Sequence, residues 1–374
     1  MNRIPRLLAA CLASIGLAAA VPADAQAPTP SADMPPAHLT IKVGTLAPEG
    51  TPWYDVIQEI GAGWKKASGG QISLTIYGGG VQGDEAAMVS KMRGGSLQMG
   101  AFTMVGLQTI SADMNALAIP LLFQNYDELD YVRGKLNARL EKVLADKGFV
   151  VLTWGEAGWV KYFAKKPIPT LKALQALKLF VWAGDSEAEE MYKNAGFQIV
   201  PLPATDILMN LERNMIEAFP APATIALAKQ WFGLAKNMMD IKFAPIVGAT
   251  IINKAAWDRI DPKLRPALVA VARETGANHT PKIRALETEA IAEMVKRDLK
   301  IQTLTPQAEA EWQRTAETFY PKIRGTLVPA ELFDDVRQLV LEYRAQKRAE
   351  PAPAPAPAPA KPTSPVKQSA PVKK

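Results

Sequence analysis

Strand-like and helix-like segments alternate along most of this 374-residue chain. Leu39–Thr45 and Ile72–Tyr77 alternate apolar with polar residues as half-buried strands do, whereas Trp53–Lys66 between them has a helical period. Further strand signals lie at 149–152, 177–182 and 197–200, and further helix signals at 84–93, 127–147, 186–194 and 262–299. Strands that alternate with helices form mixed or parallel sheets covered on both faces. The sequence therefore predicts an α/β protein with mixed β-sheets, and its length favours two lobes.

The first 25 residues have the pattern of an export signal. Arginines precede the apolar run Leu7–Val21, and the small residues Ala23 and Ala25 occupy the positions before the cleavage site that signal peptidase recognises. The run has about 15 residues, fewer than the roughly 20 that span a bilayer. We predict that residues 1–25 are a signal peptide cleaved after Ala25. Lipidation at Cys11 is the less favoured alternative, because only four apolar residues separate it from the preceding arginine.

Proline-rich segments flank the predicted fold on both sides. Residues 26–38 form a Pro-rich leader, and residues 348–374 form a Pro/Ala/Lys tail whose composition favours disordered, extended polyproline II. Cys11 is the single cysteine, so we expect no disulfide in the mature chain. Export without disulfides is typical of the bacterial periplasm, which is the predicted location.

The net charge of +6 does not indicate a nucleic-acid partner. Two arginines and one aspartate lie in residues 1–25, and four lysines without an acid lie in residues 351–374, which leaves about +1 for the remainder. A surface that binds nucleic acid needs a concentrated positive charge. We therefore expect no nucleic-acid partner.

The side chains that most enzymes use for nucleophilic or metal-assisted chemistry are scarce. His38 and His279 are the only histidines, and both are expected to be solvated. Neither a zinc site of the usual ligands nor a Cys/His or Ser/His/Asp system can be assembled. Gly78–Gly83 matches G-x-G-x-x-G, but residues 97–99 lack the acid that a dinucleotide site requires. The sequence predicts a protein that is not an enzyme and that uses no cofactor and no metal.

Large aromatic residues cluster near the ends of the predicted strands. They are Trp154, Trp159, Trp182, Trp231, Phe163, Phe180, Phe219 and Phe232. Ligands of open α/β sheets bind outside the carboxyl ends of the strands, where such rings would form an apolar wall. Because most aromatic residues belong to the core, this pattern alone leaves both interpretations open.

Short motifs distributed from Leu39 to Tyr343 resemble those of one family of bacterial receptors. They are 43–53 (VGTLAPEGTPW), 68–70 (SGG), 83–84 (GD), 119–123 (IPLLF), 166–168 (KPI), 174–182, Gly196 with 201–203 (PLP), and 252–257. Each motif is weak alone. Their common order and spacing are similar to those of the periplasmic solute-binding proteins of tripartite ATP-independent periplasmic (TRAP) transporters.

The resemblance implies a two-lobe periplasmic-binding-protein-like fold, in which hinge strands join the lobes and a long helix bridges them. Lobe I would comprise 39–157 plus 246–285, and lobe II 158–245 plus 286–347, including the C-terminal helices. Proteins of this family catalyse no reaction. They trap a solute between the lobes and deliver it to the large and small subunits of a membrane permease.

The ligand site departs from the family pattern at three places. Where the family has an arginine that binds a ligand carboxylate, this chain has Phe180. Val160 occupies a second cationic position, and 217–222 replaces a polar loop. Because a buried carboxylate beside these residues would be unpaired, we predict a hydrophobic or amphipathic ligand such as a lipid, fatty acyl chain or aromatic compound. Lys178 or Lys161 is the alternative cation.

Eight residues are predicted to bind this ligand. They are Trp53, Gly80, Trp159, Val160, Phe180, Trp182, Phe219 and Trp231. The predicted function is that of a periplasmic solute receptor of a TRAP-type transporter. The alternative is an envelope structural or interaction protein with the same fold, which the Pro-Ala-Lys tail tethers to the cell envelope.

Overall fold

The computed structural model describes residues 38–183 and 186–349, without the side chain of Glu187. The predicted signal peptide, nearly all of the leader and almost the whole tail lie outside the described residues, as do the predictions that rest on them. No helix within the described ranges combines the length and the apolar character needed to cross a membrane.

The described residues form strands and helices that alternate in chain order. The strands are β1 (Leu39–Thr45), β2 (Ile72–Tyr77), β3 (Met99–Thr103), β4 (Phe149–Trp159), β5 (Lys161–Ala164), β6 (Lys178–Trp182), β7 (Gln198–Leu202), β8 (Ala218–Ala221), β9 (Asn237–Met239), β10 (Pro245–Asn253) and β11 (Lys300–Gln302). The α-helices are α1 (Pro52–Ala67), α2 (Glu85–Arg93), α3 (Met104–Gln108), α4 (Tyr126–Asp146), α5 (Leu171–Gln175), α6 (Ser186–Asn194), α7 (Ile207–Glu212), α8 (Ala223–Ala228), α9 (Lys254–Trp257), α10 (Arg265–Lys296), α11 (Pro306–Thr326) and α12 (Ala330–Ala349). Short 3-10 helices lie at Ala112–Leu117, Ala204–Asp206 and Trp231–Gly233.

Two mixed sheets organise these elements. The first has the order β2-β1-β3-β10-β4, with β10 antiparallel to both of its neighbours, and the second has the order β11-β9-β5-β8-β6-β7. We call each sheet, with the helices on it, the first and the second lobe. The parallel pairs β1–β2, β1–β3 and β6–β7 require crossovers, which the intervening helices supply. The structure confirms the predicted two-lobe α/β fold with mixed sheets.

The chain passes between the lobes at two adjacent strand connections. Val160 alone separates β4 of the first sheet from β5 of the second, and 240–244 joins β9 to β10. The two crossings are held side by side, because the Val160 amide donates to the Ala244 carbonyl at 2.8 Å and the Phe243 amide donates to the Val160 carbonyl at 3.1 Å. These crossings are the predicted hinge strands.

The 32-residue helix α10 bridges the lobes. It packs against α1 and β4 of the first lobe and against α8 of the second. Glycine at 276 permits the close approach to β4, since a Cβ atom there would lie 2.2 Å from the Thr153 Oγ1. A Cβ at Gly63 of α1 would likewise lie 2.4 Å from the Val271 Cγ1 of α10. These two helices therefore pack closely where α1 has a glycine.

The C-terminal helices pack differently from the predicted lobe boundaries, which place 286–347 on lobe II. Trp312, in the first half of α11, stacks on Tyr162 of the second sheet with ring centroids 5.4 Å apart. Tyr320, farther along α11, meets Phe333 of α12 at 5.6 Å, and both join the first lobe's core with Val132 of α4. Helix α11 therefore crosses from the second lobe to the first, because its apolar face and that of α12 continue the core of α4.

Candidate functional site

A cavity of about 560 Å³ lies between the two sheets. The first lobe supplies Trp53, Phe102 and Trp154 to its wall, and the second lobe supplies Trp182 and Trp231. Helix α10 closes one side with Gly276, His279, Thr280 and Ile283. A volume of this size is typical of a small-molecule site rather than a packing defect.

Four of the eight predicted site residues line this cavity. They are Trp53, Val160, Trp182 and Trp231. The Trp53 Nε1 donates to the Glu156 carbonyl at 2.9 Å, which fixes its ring against the hinge end of β4. The Trp182 Nε1 is buried and has no hydrogen-bond partner among the described residues.

Three predicted site residues lie in the core behind the wall instead. Phe219 stacks on Phe163 with ring centroids 5.3 Å apart, and Phe180 meets the Trp182 ring edge-on at 5.4 Å. Trp159 packs on Tyr126 at 5.4 Å, in the first lobe's core. Because helices cover both faces of these sheets, an apolar residue in a strand does not reveal which face it occupies. Phe180 and Phe219 thus support cavity residues and do not line the cavity.

Gly80 lies at the rim, next to the wall residue Gly79. Its backbone φ of 84° belongs to the left-handed region that favours glycine. A Cβ atom built on Gly80 would be 3.2 Å from the Thr205 Cγ2, which belongs to the other lobe. The glycine turn 78–83 therefore brings the two lobes together here, and it is a close-approach element rather than a dinucleotide loop.

Neither alternative cation reaches the wall. Lys161 is buried, but its Nζ lies 2.7 Å from the Asp240 Oδ1 and 3.9 Å from the Glu287 Oε1, so its charge is already paired at the hinge. Burial raises the pKa of Glu287, and the Lys161 ammonium opposes that rise. Lys178 is exposed at the start of β6, away from the cavity-lining end at Val181 and Trp182.

Two carboxylates of the wall were not singled out from the sequence. Glu156 pairs with Arg284 of α10 through a two-donor contact, and Arg284 also binds Asp130 of α4 with both terminal nitrogens at 2.8 Å. The Glu156 Oε2 lies 3.9 Å from Arg133. This network joins α4, β4 and α10 beside the hinge.

Glu85, at the start of α2, is the second wall carboxylate. It accepts from the Thr103 amide at 2.8 Å, the Thr103 hydroxyl at 2.7 Å and the Gly106 amide at 2.7 Å. Burial raises the pKa of Glu85 to about 7, against the lowering effect of these donors. Glu85 directly follows the N-cap Asp84, and acidic residues in the first turn of a helix are usually exposed. The sequence therefore gave no indication that this acid is buried.

The cavity wall also contains Lys229, which follows the last residue of α8.

His279, which we expected to be solvated, is buried on α10, with its Nε2 3.0 Å from the Glu59 Oε2. No group of three His, Asp or Glu side chains suited to a metal occurs in residues 38–183 and 186–349. The cavity is thus an apolar enclosure with few charged groups.

A family model of bacterial extracellular solute-binding proteins, family 7 (DctP), matches residues 43–325. The 2,3-diketo-L-gulonate-binding periplasmic protein YiaO of Escherichia coli K12 is 28% identical over 237 residues, which is 61% of this chain and 69% of that protein. The sialic acid-binding periplasmic protein SiaP of Vibrio cholerae is 20% identical over 264 residues, covering 68% of this chain and 80% of that protein.

Solved structures show the same fold. The sugar acid binding protein DctPAm from Advenella mimigardefordensis, in complex with galactonate, has a TM-score of 0.77 at 15% identity and covers 82% of this chain and 99% of that one. A TRAP periplasmic solute-binding protein from Sulfurospirillum deleyianum with bound succinate has a TM-score of 0.74 at 18% identity and covers 82% and 99%. The matched family consists of periplasmic receptors of TRAP transporters, not enzymes, and such receptors act with membrane permease subunits. This chain belongs to family 7 of the bacterial extracellular solute-binding proteins, as the sequence motifs predicted.

Proposed function

We propose that this chain, exported to the periplasm, is the receptor that traps an amphipathic acid with an apolar body and delivers it to a TRAP permease without catalysing a reaction. The apolar character of the cavity wall carries the proposal. Trp53, Phe102, Trp182 and Trp231 present rings to the cavity, and Val160 stands at the hinge between them. A fatty acyl chain or an aromatic ring fits such a wall, whereas a polyhydroxylated chain would place most of its hydroxyl groups against apolar surface.

The ligands named for the relatives narrow this proposal. YiaO is named for 2,3-diketo-L-gulonate, and the solved structures hold galactonate and succinate, all of which are acids. A purely hydrophobic ligand has no counterpart among them. Of the predicted ligand classes, we therefore retain the amphipathic one, in which an acid group ends an apolar body.

The energy available from the wall is sufficient for useful affinity. Burial of roughly 300 Å² of apolar surface contributes about 7 kcal/mol at about 25 cal/mol per Å², before the cost of association. Micromolar binding, about −8 kcal/mol, then requires a preformed cavity and one further favourable contact at the acid group.

The test compares apolar acids with the polar acids of the relatives. Octanoate and 4-phenylbutyrate should raise the melting temperature of the purified mature protein, by about 5 °C at a hundredfold excess over Kd. Galactonate and succinate should leave it unchanged, and calorimetry should show no heat of binding for them. Tight binding of galactonate or succinate, or no shift with either apolar acid, would contradict the apolar cavity proposal.

A further inference from the structure

Lys229 occupies a distinctive position on the cavity wall. It is the C-cap residue of α8, directly after Ala228. Pro222 and Ile225, seven and four positions before it on the chain, line the same cavity. Residues at this spacing share one face of a helix, so the face of α8 that meets the cavity ends in a lysine.

Lys229 is the one lysine or arginine among the described residues that line the cavity. Within 38–183 and 186–349 it makes neither an ion pair nor a side-chain hydrogen bond, whereas Lys161 is paired with Asp240. Its side chain is half-buried, and this burial lowers the pKa of its ammonium. A partly desolvated cation without a partner is stabilised by an anion placed beside it.

The acids of the wall do not supply that anion. Glu156 is held by Arg284 and Arg133, and Glu85 is satisfied by donors from Thr103 and Gly106. The positive charge at Lys229 is therefore the unmatched charge of the described cavity wall. Its neighbours on the wall, Ile225 and Trp231, are apolar.

We propose that Lys229 binds the carboxylate of the ligand and that the ligand carries a single carboxylate at the end of its apolar body. This inference rests on the proposed function, which supplies the apolar body in the cavity. One unmatched cation balances one carboxylate, and a second carboxylate on the same ligand would find no second cation on the described wall. Lys229 thus takes the role that the sequence had offered to Lys178 or Lys161.

The experiment uses two probes of equal chain length, octanoate and the uncharged 1-octanol, measured by calorimetry on the mature protein. Lys229→Met removes the ammonium and keeps an unbranched apolar side chain. It should weaken octanoate binding about 10- to 100-fold and leave 1-octanol binding within about twofold. Lys229→Arg should retain most of the octanoate affinity, because the charge is restored.

Lys178→Met is the matched control, with the same change of charge on the exposed end of β6. It should leave the affinity for both probes unchanged. Equal loss of octanoate affinity in the two variants, or none in Lys229→Met, would overturn the assignment of Lys229 while the receptor proposal stands. Failure of the unaltered protein to bind either probe would instead contradict the receptor proposal itself. Binding of succinate in preference to octanoate would overturn the single-carboxylate class.

Discussion

At the scale of single residues, Glu85 shows how a buried carboxyl can be tolerated without a cation. Two backbone amides and one hydroxyl point at its oxygens, yet burial outweighs them and raises its pKa from 4.5 to about 7. The folded state therefore holds a proton on Glu85 that the unfolded state has already released above pH 4.5. Folding stability falls as the pH rises through this interval.

Glu85→Gln removes this titration. Between pH 5 and pH 8 the unaltered protein should lose about 2–3 kcal/mol of unfolding free energy relative to the Gln variant, since the folded pKa lies above the unfolded one. Urea denaturation at the two pH values measures the difference. A difference that stays constant from pH 5 to pH 8 would show that Glu85 is ionised in the folded protein.

At the scale of elements, α10 depends on glycine where it crosses β4. Gly276 allows the helix to rest on Thr153, whereas Gly134 of α4 has no atom within 4 Å of the place where its Cβ would be. The same residue type therefore has opposite consequences on two helices. In α10 glycine permits close packing, whereas in α4 it only lowers the stability of the helix relative to alanine.

Gly276→Ala should destabilise the protein by about 1–3 kcal/mol, because the added methyl group forces α10 or Thr153 to move. Gly134→Ala is the control and should stabilise it by about 0.5–1 kcal/mol. Denaturation curves of both variants provide the comparison. Stabilisation by Gly276→Ala would mean that α10 does not lie against β4 as closely as the structure places it.

Elements differed in how far the sequence could predict them. The bounds of β1, β2 and α6 agree with the period of their residues, because each has a regular pattern and clear end signals. The residue pattern did not predict β10, since the strand begins with Pro245 and contains Gly248, two residue types that strands disfavour, and its partners β3 and β4 are distant in the chain. Side-chain direction was the weakest point, as Phe180 and Phe219 show.

Lys229 illustrates what sequence analysis of the site lacked. Its spacing from Pro222 and Ile225 places all three on one helical face, but no feature of the sequence says that this face meets a cavity. Whether this face meets a cavity is decided by the position of the second lobe opposite the first. That position depends on the two hinge crossings and on α10. A ligand site between lobes is therefore less predictable than the lobes themselves.

At the scale of the whole molecule, one ionic network sits where the lobes join. Arg284 of α10 links Asp130 of α4 to Glu156 of β4, and the Glu156 side chain is only 1% exposed. The Tyr126 ring lies 4.2 Å from the Arg284 guanidinium carbon and covers it. These contacts fix α10 against the first lobe, beside the hinge.

Arg284→Met should lower the free energy of unfolding by about 3–5 kcal/mol, because it leaves Glu156 buried without its principal cation. Adding Glu156→Gln to this variant should recover part of the loss. Arg139→Met, which breaks the half-exposed contact with Asp335 at 2.7 Å, should cost less than about 1 kcal/mol. Equal losses for Arg284→Met and Arg139→Met, by chemical denaturation, would show that the hinge network adds no more than a surface pair.

The contact between the glycine turn and the other lobe at Thr205 has a practical consequence. Val81, 73% exposed, follows Gly80 on one lip, and Met209, 42% exposed, lies one helical turn beyond Thr205 on the other. Residues 12–374 contain no cysteine, so fluorescent dyes can be attached at these two positions through introduced thiols alone. Energy transfer between the dyes then reports any change in the distance between these two lips. The labelled receptor is then an optical sensor that can be used to screen fractionated extracts. A fraction that contains the natural solute can be recognised before the solute is chemically identified.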